Sequence, residues 1–437
     1  TGCAVAYTAN TWQGGFTASI SIKNVGDPIT SWTLRFAFPD AGQKVAQGWS
    51  ATWTQSGAEV TAASASWNGA LATGASTSIG FNGTFTTANP APASFSLNGM
   101  TCTGNPSASS SSSSSSPSSS SPSSSPSSSP SLSPSGGGTC GVAPVDPDAT
   151  AQAKKLLCYL YSQYGNHILS GQQESTWVSG PDHEMSIIFN ASGKYPAIRG
   201  QDMGDAPDFG ARGLAWWNAG GIPMVSYHMG APNQSVDGYS GSQLTADINA
   251  ALTAGTSDNS TLNQRLANWA NQLKIIQNGG GAAILRPWHE ASGTWFWWSK
   301  EGASQYNRLW IYTFNYLRAQ GVHNLVWLHP FNGSPSSAWY PGRQYVDIGG
   351  ADTYVSDHGP LTSMFNACKG VYGSTMPIAL HENGPIPDPA QLQSTATRWV
   401  LFNTWHTSFI DDGTTNPTSV INTVYNSTYV VTRDEVP

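Results

Sequence analysis

Charge is scarce in this chain: 10% of its 437 residues are Asp, Glu, Lys or Arg, and the formal net charge is −7. No stripe of clustered lysine and arginine is present to neutralise a phosphate backbone, which excludes nucleic acid as an expected partner. No apolar run approaches the ~18 residues of a membrane-spanning helix, so no membrane association is expected. Cysteine is confined to Cys3, Cys102, Cys140, Cys158 and Cys368, with no CxxC pair or histidine-rich cluster of the zinc-site kind. Neither a metal nor an organic cofactor is expected. A start at Thr1 fits a processed, secreted, extracellular chain, and a monomer is the expected state.

Serine and proline dominate the middle of the sequence. Residues 104–138 are almost wholly Ser, Pro and Gly, with hardly an apolar side chain to bury, and read as a disordered linker that prolines hold extended. This tract divides the chain into a domain at 1–103 and another at 139–437, consistent with a length too great for one ordinary core. Cys3 and Cys102 bracket the first domain and suit a disulfide tying its ends. Of the other three, Cys140 and Cys158 are nearest in sequence and are taken as bonded with Cys368 free, with Cys158 to Cys368 as the alternative.

The first domain reads as all-β. Phe16 to Ile22, Trp32 to Phe38 and Ser78 to Phe85 alternate with a period of two between Gly, Asn and Pro turns, which predicts a β-sandwich. Trp12, Trp49 and Trp67 fall outside the alternating positions in polar surroundings, where exposed indoles need a reason. The flat face of an indole covers the C–H face of a pyranose, so three such residues form a candidate docking strip for a polysaccharide. These segments, with the terminal cysteines, the Trp32-Thr-Leu strand and the Ser-Leu-Asn-Gly before Met100, resemble the family 2 carbohydrate-binding modules. That resemblance implies cellulose binding by Trp12, Trp49 and Trp67 and a core place for Trp32, while Trp53 stands where a smaller strand residue is expected.

From residue 141 short apolar runs alternate with helical stretches, the mark of a parallel sheet of β/α units. Eight strands are predicted: His167 to Gln173, Tyr195 to Asp202, Pro223 to Met229, Ala282 to Glu290, Asn324 to Pro330, Val346 to Tyr354, Pro377 to Gly384 and Trp399 to His406. Eight repeats in about 300 residues predict a TIM (β/α)8 barrel. A doubly wound nucleotide-binding sheet is the competitor, but no strand is followed by GxGxxG or a phosphate-cradling lysine loop.

A barrel carries its chemistry at the C-terminal strand ends. Glu290 and Glu382, ending strands four and seven, lie across the mouth from each other and suit the two carboxylates of glycosidic hydrolysis, which stand about 5 to 5.5 Å apart in retaining enzymes. Glu174, Asp202, Asp205, Asp208, Glu301 and Asp352 also fall near that mouth. The stretch Arg286-Pro-Trp-His-Glu-Ala-Ser-Gly-Thr-Trp-Phe-Trp-Trp298 resembles the acid/base signature of glycoside hydrolase family 26, mostly β-mannanases. The likeness extends through Leu169-Ser-Gly-Gln-Gln, Pro196-Ala-Ile-Arg-Gly and Val346 to Tyr354.

The resemblance implies that Glu290 is the general acid/base and Glu382 the nucleophile of an endo-β-1,4-mannanase acting by double displacement on mannan, glucomannan or galactomannan. It further implies that His228, His289, Trp295, Tyr354 and Trp405 bind the sugar. The same family holds enzymes for β-1,3-xylan and mixed-linkage β-glucan, and a non-catalytic carbohydrate-binding barrel is the alternative of another class. Trp288, Ala291 and Ser292 depart from the usual family residues, which puts a contact to the leaving-group sugar in doubt. Arg199 and Arg286 are expected as charge partners inside the barrel, and Trp216, Trp217 and Trp339 either line outer subsites or pack helices.

Overall fold

The computed structural model describes residues 2–12, 15–49, 51–65, 68–103 and 140–437, with backbone alone at 10, 12, 17, 19, 47, 49, 78 and 82. The chain divides into two compact units, one within residues 1–133 and one within 134–437. The expected linker at 104–138 lies outside the described residues.

In the first unit β1 (Cys3–Trp12), β2 (Gly15–Asn24), β3 (Thr33–Ala37), β4 (Lys44–Trp49), β5 (Ala51–Ser56), β6 (Glu59–Ser64), β7 (Ser76–Thr84), β8 (Phe95–Leu97) and β9 (Met100–Thr101) form two antiparallel sheets. Their orders are β1-β2-β7-β4 and β5-β6-β3-β8-β9. Alternation decides which side chains face inward: Leu34 and Phe36 of β3 are buried, and Arg35 between them is exposed. Phe16, Phe36, Phe38 and Phe81 join the sheets with ring centroids 5.4 to 6.1 Å apart. Trp32 is 1% exposed, its indole N–H donating to the Asn68 carbonyl at 2.7 Å.

Trp53 fits its strand because of a glycine. Its indole lies edge-on to Phe81 at 5.0 Å, and a Cβ on Gly48 would come 2.2 Å from its Cδ1. Cys3 is disulfide-bonded to Cys102. Beside that bond the first and last segments pair, the Val5 amide donating to Thr103 and the Thr103 amide to Cys3, each at 2.8 Å. Trp12 and Trp49 end opposite edge strands of one sheet. Their side chains, and Trp67 altogether, lie outside the described residues.

The second unit is a closed parallel barrel of β11 (Gly171–Gln173), β12 (Ile198–Asp202), β13 (Ile222–Ser226), β14 (Ala283–Leu285), β15 (Leu325–Pro330), β16 (Ile348–Thr353), β17 (Ile378–Asn383) and β18 (Phe402–Thr404). A short pair outside it joins β10 (Ile168–Leu169) to β19 (Val430–Val431). Every predicted strand is present, most of them shorter than expected. The run expected from Ala282 to Glu290 stops at Leu285, because Pro287 has no amide hydrogen to continue a ladder.

Ile198, Met224, Ile284, Val326, Leu328 and Ile348 pack together with Leu156, Leu157 and Leu160 of the helix Ala151–Gln163. Residues of opposite parity, such as Val225, Leu285, Trp327 and Leu380, join the core formed with the surrounding helices. Thr150 and Thr256 cap the helices Ala151–Gln163 and Ser257–Asn278, each hydroxyl accepting an orphan amide N–H of the first turn. Cys140 is bonded to Cys158, and Cys368 is free and buried. No described helix is long and apolar enough to cross a membrane.

Candidate active site

Beyond β14 the backbone leaves strand geometry. Trp288 and Glu290 have φ of +50° and +58°, a left-handed conformation that costs a residue with a side chain about 1–3 kcal/mol and persists only where the surroundings impose it. The aromatic run that follows supplies the clamps. Trp298 Nε1 donates to the His289 carbonyl at 2.9 Å, Tyr306 Oη to the Trp288 carbonyl at 3.1 Å, and Trp288 Nε1 to Thr313 Oγ1 at 3.0 Å. The Ala291 amide donates to Pro330 on β15 at 3.0 Å, and Trp297 Nε1 to the Met229 carbonyl at 2.8 Å. Trp295 is the exception, 42% exposed, with its Nε1 donating to Glu290 Oε2 at 2.5 Å.

Glu382 arrives by a different device. Neighbouring strand residues point to opposite faces, yet His381 and Glu382 both reach Arg286. Its Nη1 donates to His381 Nδ1 at 3.1 Å and to Glu382 Oε2 at 2.6 Å. Register shifts on both flanks of β17 explain this, between Ala351 and Asp352 on β16 and between Leu380 and Asn383 against β18. One shift sets Asp352 opposite Glu382. The Tyr354 hydroxyl donates to the other oxygen, Glu382 Oε1. His381 accepts from Arg286 and therefore carries its hydrogen on Nε2, which donates to the Phe331 carbonyl at 2.8 Å.

The carboxyl groups are electrostatically unlike. Burial and the Glu382 charge push Glu290 above the ordinary glutamate range, against hydrogen bonds from Asp352 and Trp295 and the charge of Arg286. Asp352 is driven well above the aspartate range by burial and by the charges of Glu290 and Glu382. Glu382 accepts from Tyr354 and Arg286 on separate oxygens, the arrangement of a carboxylate oriented to attack. One mouth thus holds a proton-bearing acid and an acceptor-only carboxylate, the pairing that glycoside hydrolysis needs. Among the described residues two acid and imidazole groups come close enough to share an ion, Asp352/His381/Glu382 and Asp146/Asp148/His323. In each an arginine already supplies positive charge, Arg286 in the first and Arg318, 2.7 Å from Asp146, in the second.

Residues 145–435 match the profile of glycosyl hydrolase family 26. The chain belongs to that family. Residues 3–102 match the cellulose binding domain profile. A mannan endo-1,4-β-mannosidase of Thermothelomyces thermophilus is 33% identical over 311 residues, 67% of this chain and 62% of the relative. The N-terminal unit is similar to part of an endoglucanase of Streptomyces lividans, 58% identical over 106 residues, 24% of this chain and 23% of that protein. The chain thus spans under two thirds of either relative. Among solved structures, a β-mannanase from a symbiotic protist of the termite Reticulitermes speratus, complexed with a gluco-manno-oligosaccharide, superimposes with a TM-score of 0.61 at 28% identity, covering 68% of this chain and 97% of that one. The family 26 domain of a Prevotella bryantii endo-β-mannanase/endo-β-glucanase gives 0.57 at 31% identity, covering 67% and 98%.

In this family 26 barrel Tyr354 and Trp295 are exposed at 41% and 42%, Trp405 is half-buried with Arg286 5.9 Å above its ring, and His228 and His289 are 4% and 1% exposed. His289 Nε2 lies 3.0 Å from His228 Nε2 and His228 Nδ1 3.0 Å from Asp202, so among the described residues the ring nitrogen of this pair left without a partner is His289 Nδ1. Arg199 pairs with Glu174 at 2.6 Å and Arg286 with Glu382, both interior partnerships. Trp216 is buried, and Trp217 and Trp339 are partly buried and pack against the core. Trp288 and Ala291, which depart from the usual family residues, are both buried, while Ser292 donates to the Ser334 carbonyl at 2.9 Å.

Sequence reasoning named Asp352 only as one of several nearby acids and missed its place opposite Glu382, because that pairing depends on a register shift. It also passed over Trp177, 56% exposed and edge-on to His406 at 4.9 Å, with His406 against Trp405 at 4.6 Å. The signal was an indole in the polar loop after the first barrel strand.

Proposed function

We propose that the chain is a secreted, monomeric, retaining endo-β-1,4-mannanase, with a carbohydrate-binding module at 1–103 and a catalytic domain at 139–437 joined by a flexible linker. The relatives' mannanase activity supports the substrate. The observation that carries the chemistry is the pair of carboxyl groups in unlike surroundings: Glu290 with its proton favoured by burial and the Glu382 charge, and Glu382 aligned by Tyr354 and Arg286.

Glu382 attacks the anomeric carbon as Glu290 gives its proton to the glycosidic oxygen, so the C–O bond breaks with its electron pair on the departing sugar. Glu290, now a carboxylate, takes a proton from water as that water attacks the anomeric carbon, and the ester bond to Glu382 breaks. Trp405 underlies the reacting sugar and Trp295 the leaving side, where its bond to Glu290 holds the acid. His228, His289 and Tyr354 contact the reacting sugar, His289 through its free Nδ1. Trp12, Trp49 and Trp67 dock the enzyme on cellulose in plant cell walls, close to the mannan it cleaves.

The test is reducing-end release from glucomannan, β-1,3-xylan and lichenan, with the first-formed anomer followed by NMR. Glucomannan cleavage with a β-anomer appearing first is the expected result. Activity on xylan or lichenan without mannan overturns the substrate, and an α-anomer overturns retention.

A further inference from the structure

A chain of hydrogen bonds runs beside the carboxylate pair, from Asp202 through His228 to His289. Asp202 ends β12 and is 2% exposed. It accepts from Ser226 Oγ at 2.7 Å, the Gly204 amide at 2.7 Å, the His228 amide at 3.0 Å and His228 Nδ1 at 3.0 Å. Ser226 Oγ and the two amides donate, and although burial raises Asp202, the His228 charge and these hydrogen bonds hold it well below the aspartate range, so it is a carboxylate and His228 Nδ1 carries a hydrogen. The 3.0 Å between His228 Nε2 and His289 Nε2 then admits one hydrogen. Either His228 is neutral and accepts from His289, or His228 is an imidazolium that donates at both ends and leaves His289 as the neutral Nδ1–H tautomer.

The groups facing the His228 ring decide between these states. Asp202 on β12, Asp205 just after it and Glu382 on β17 are acidic. His289 and His406 are the neighbouring imidazoles, and Arg286, next to His289, already pairs with Glu382 at 2.6 Å. Tyr239, Phe296 and Trp405 close the remaining sides with their rings. Three carboxyl groups thus bear on one imidazole. Burial pulls His228 down, but Asp202, Glu382 and Asp205 raise it above the ordinary histidine range, while burial and the His228 charge hold His289 well below it. Burial, with the Asp202 and Glu174 charges, pushes Asp205 up to about 7 despite the opposing His228 charge, so Asp202 and Glu382 supply most of the negative charge.

We propose that Asp202 is a positioning residue that fixes His228 as an imidazolium donating to His289, so that a buried positive charge stands beside Glu382 during turnover. The proposal rests on the retaining reading above. When water attacks the glycosyl ester, the C1–O bond to Glu382 breaks and its electron pair returns to the carboxylate. The imidazolium stabilises that returning charge without giving up a proton. Deglycosylation therefore needs Glu290 ionised and His228 charged, which puts the two residues on opposite limbs of a pH profile.

The experiment uses the full chain and 2,4-dinitrophenyl β-mannobioside, whose good leaving group makes deglycosylation limiting. The wild type is expected to show a basic limb in kcat, and Asp202→Asn to move it to lower pH by at least about one unit, the usual effect of removing an adjacent opposite charge. A limb in the same place overturns the proposal. Side-chain 15N NMR of the wild type at about pH 6 is expected to show both His228 nitrogens protonated and His289 as Nδ1–H. A neutral His228 with hydrogen on His289 Nε2 overturns it too, and decides the matter should Asp202→Asn fail to fold. Absence of dinitrophenol release from the wild type defeats the retaining mannanase reading instead, and the NMR result then stands by itself.

Discussion

Replacing Glu290 by glycine should leave the barrel more stable than replacing it by alanine. Both substitutions remove the carboxyl group and its interactions with Asp352, Trp295 and Glu382, so their difference isolates the backbone. At φ +58° an alanine retains the left-handed penalty, about 1–2 kcal/mol. Glycine escapes it but loses about 0.5–1 kcal/mol more chain entropy on folding. The expected balance favours glycine by up to ~1.5 kcal/mol. Gln264, exposed within the helix Ser257–Asn278, is the control, since glycine there should be about 1 kcal/mol worse than alanine. Urea unfolding followed by tryptophan fluorescence, to which the buried barrel indoles Trp269, Trp288, Trp297, Trp298, Trp310, Trp327 and Trp399 contribute, measures both pairs. If alanine wins at 290 by the margin seen at 264, the left-handed turn is not imposed by its clamps and the account of how the acid is placed is wrong.

Replacing Glu382 with Ala should lower turnover on glucomannan by on the order of 10⁴-fold or more while cellulose pull-down is unchanged, and retained turnover would remove it as nucleophile. Trp295→Phe takes a donor from Glu290 and should raise the acid's pKa further, so the basic limb of kcat/KM on glucomannan moves up in pH; a downward shift contradicts that role. Because Glu290 is raised in the folded protein, its stabilising effect is complete below the unfolded glutamate pKa and is lost as pH climbs through the folded value. Thermal melts should therefore show Glu290→Gln gaining on the wild type over that interval, and a gap that narrows with rising pH would invert the sign. Deleting residues 1–138 should leave hydrolysis of soluble mannan nearly unchanged, so a large loss would give the module a part in the active site.

The eight barrel strands were legible because each is a short apolar run between helical stretches, a pattern set by local composition. Their ends were not. Pro287 stops β14 four residues after Ala283, and Glu290 is placed by the turn beyond it, held by indole N–H groups whose partners no spacing rule reveals. His381 and Glu382 read as opposite-facing residues of one strand, and only register with both neighbours turns them onto the same guanidinium. The two glutamates were singled out by a motif, whereas the place of Asp352 opposite Glu382 needed the fold. In the first unit alternation located the core, but Trp53 made sense only once Gly48 was seen beneath it.

The bond between Cys3 and Cys102 has a mechanical consequence. The described part of the first unit ends at Thr103, so a tug arriving from the C-terminal side reaches its sheets there. Without a crosslink it would peel β9 and then β8 from the edge of their sheet, one hydrogen-bonded pair at a time. The sulfur bridge instead hands the load to β1, in the other sheet, where its pairing with β2 runs from Cys3 to Trp12. A module that grips a solid while its partner is dragged by flow would be loaded in just that direction, and its root is sewn to the sheet that ends in Trp12 and Trp49.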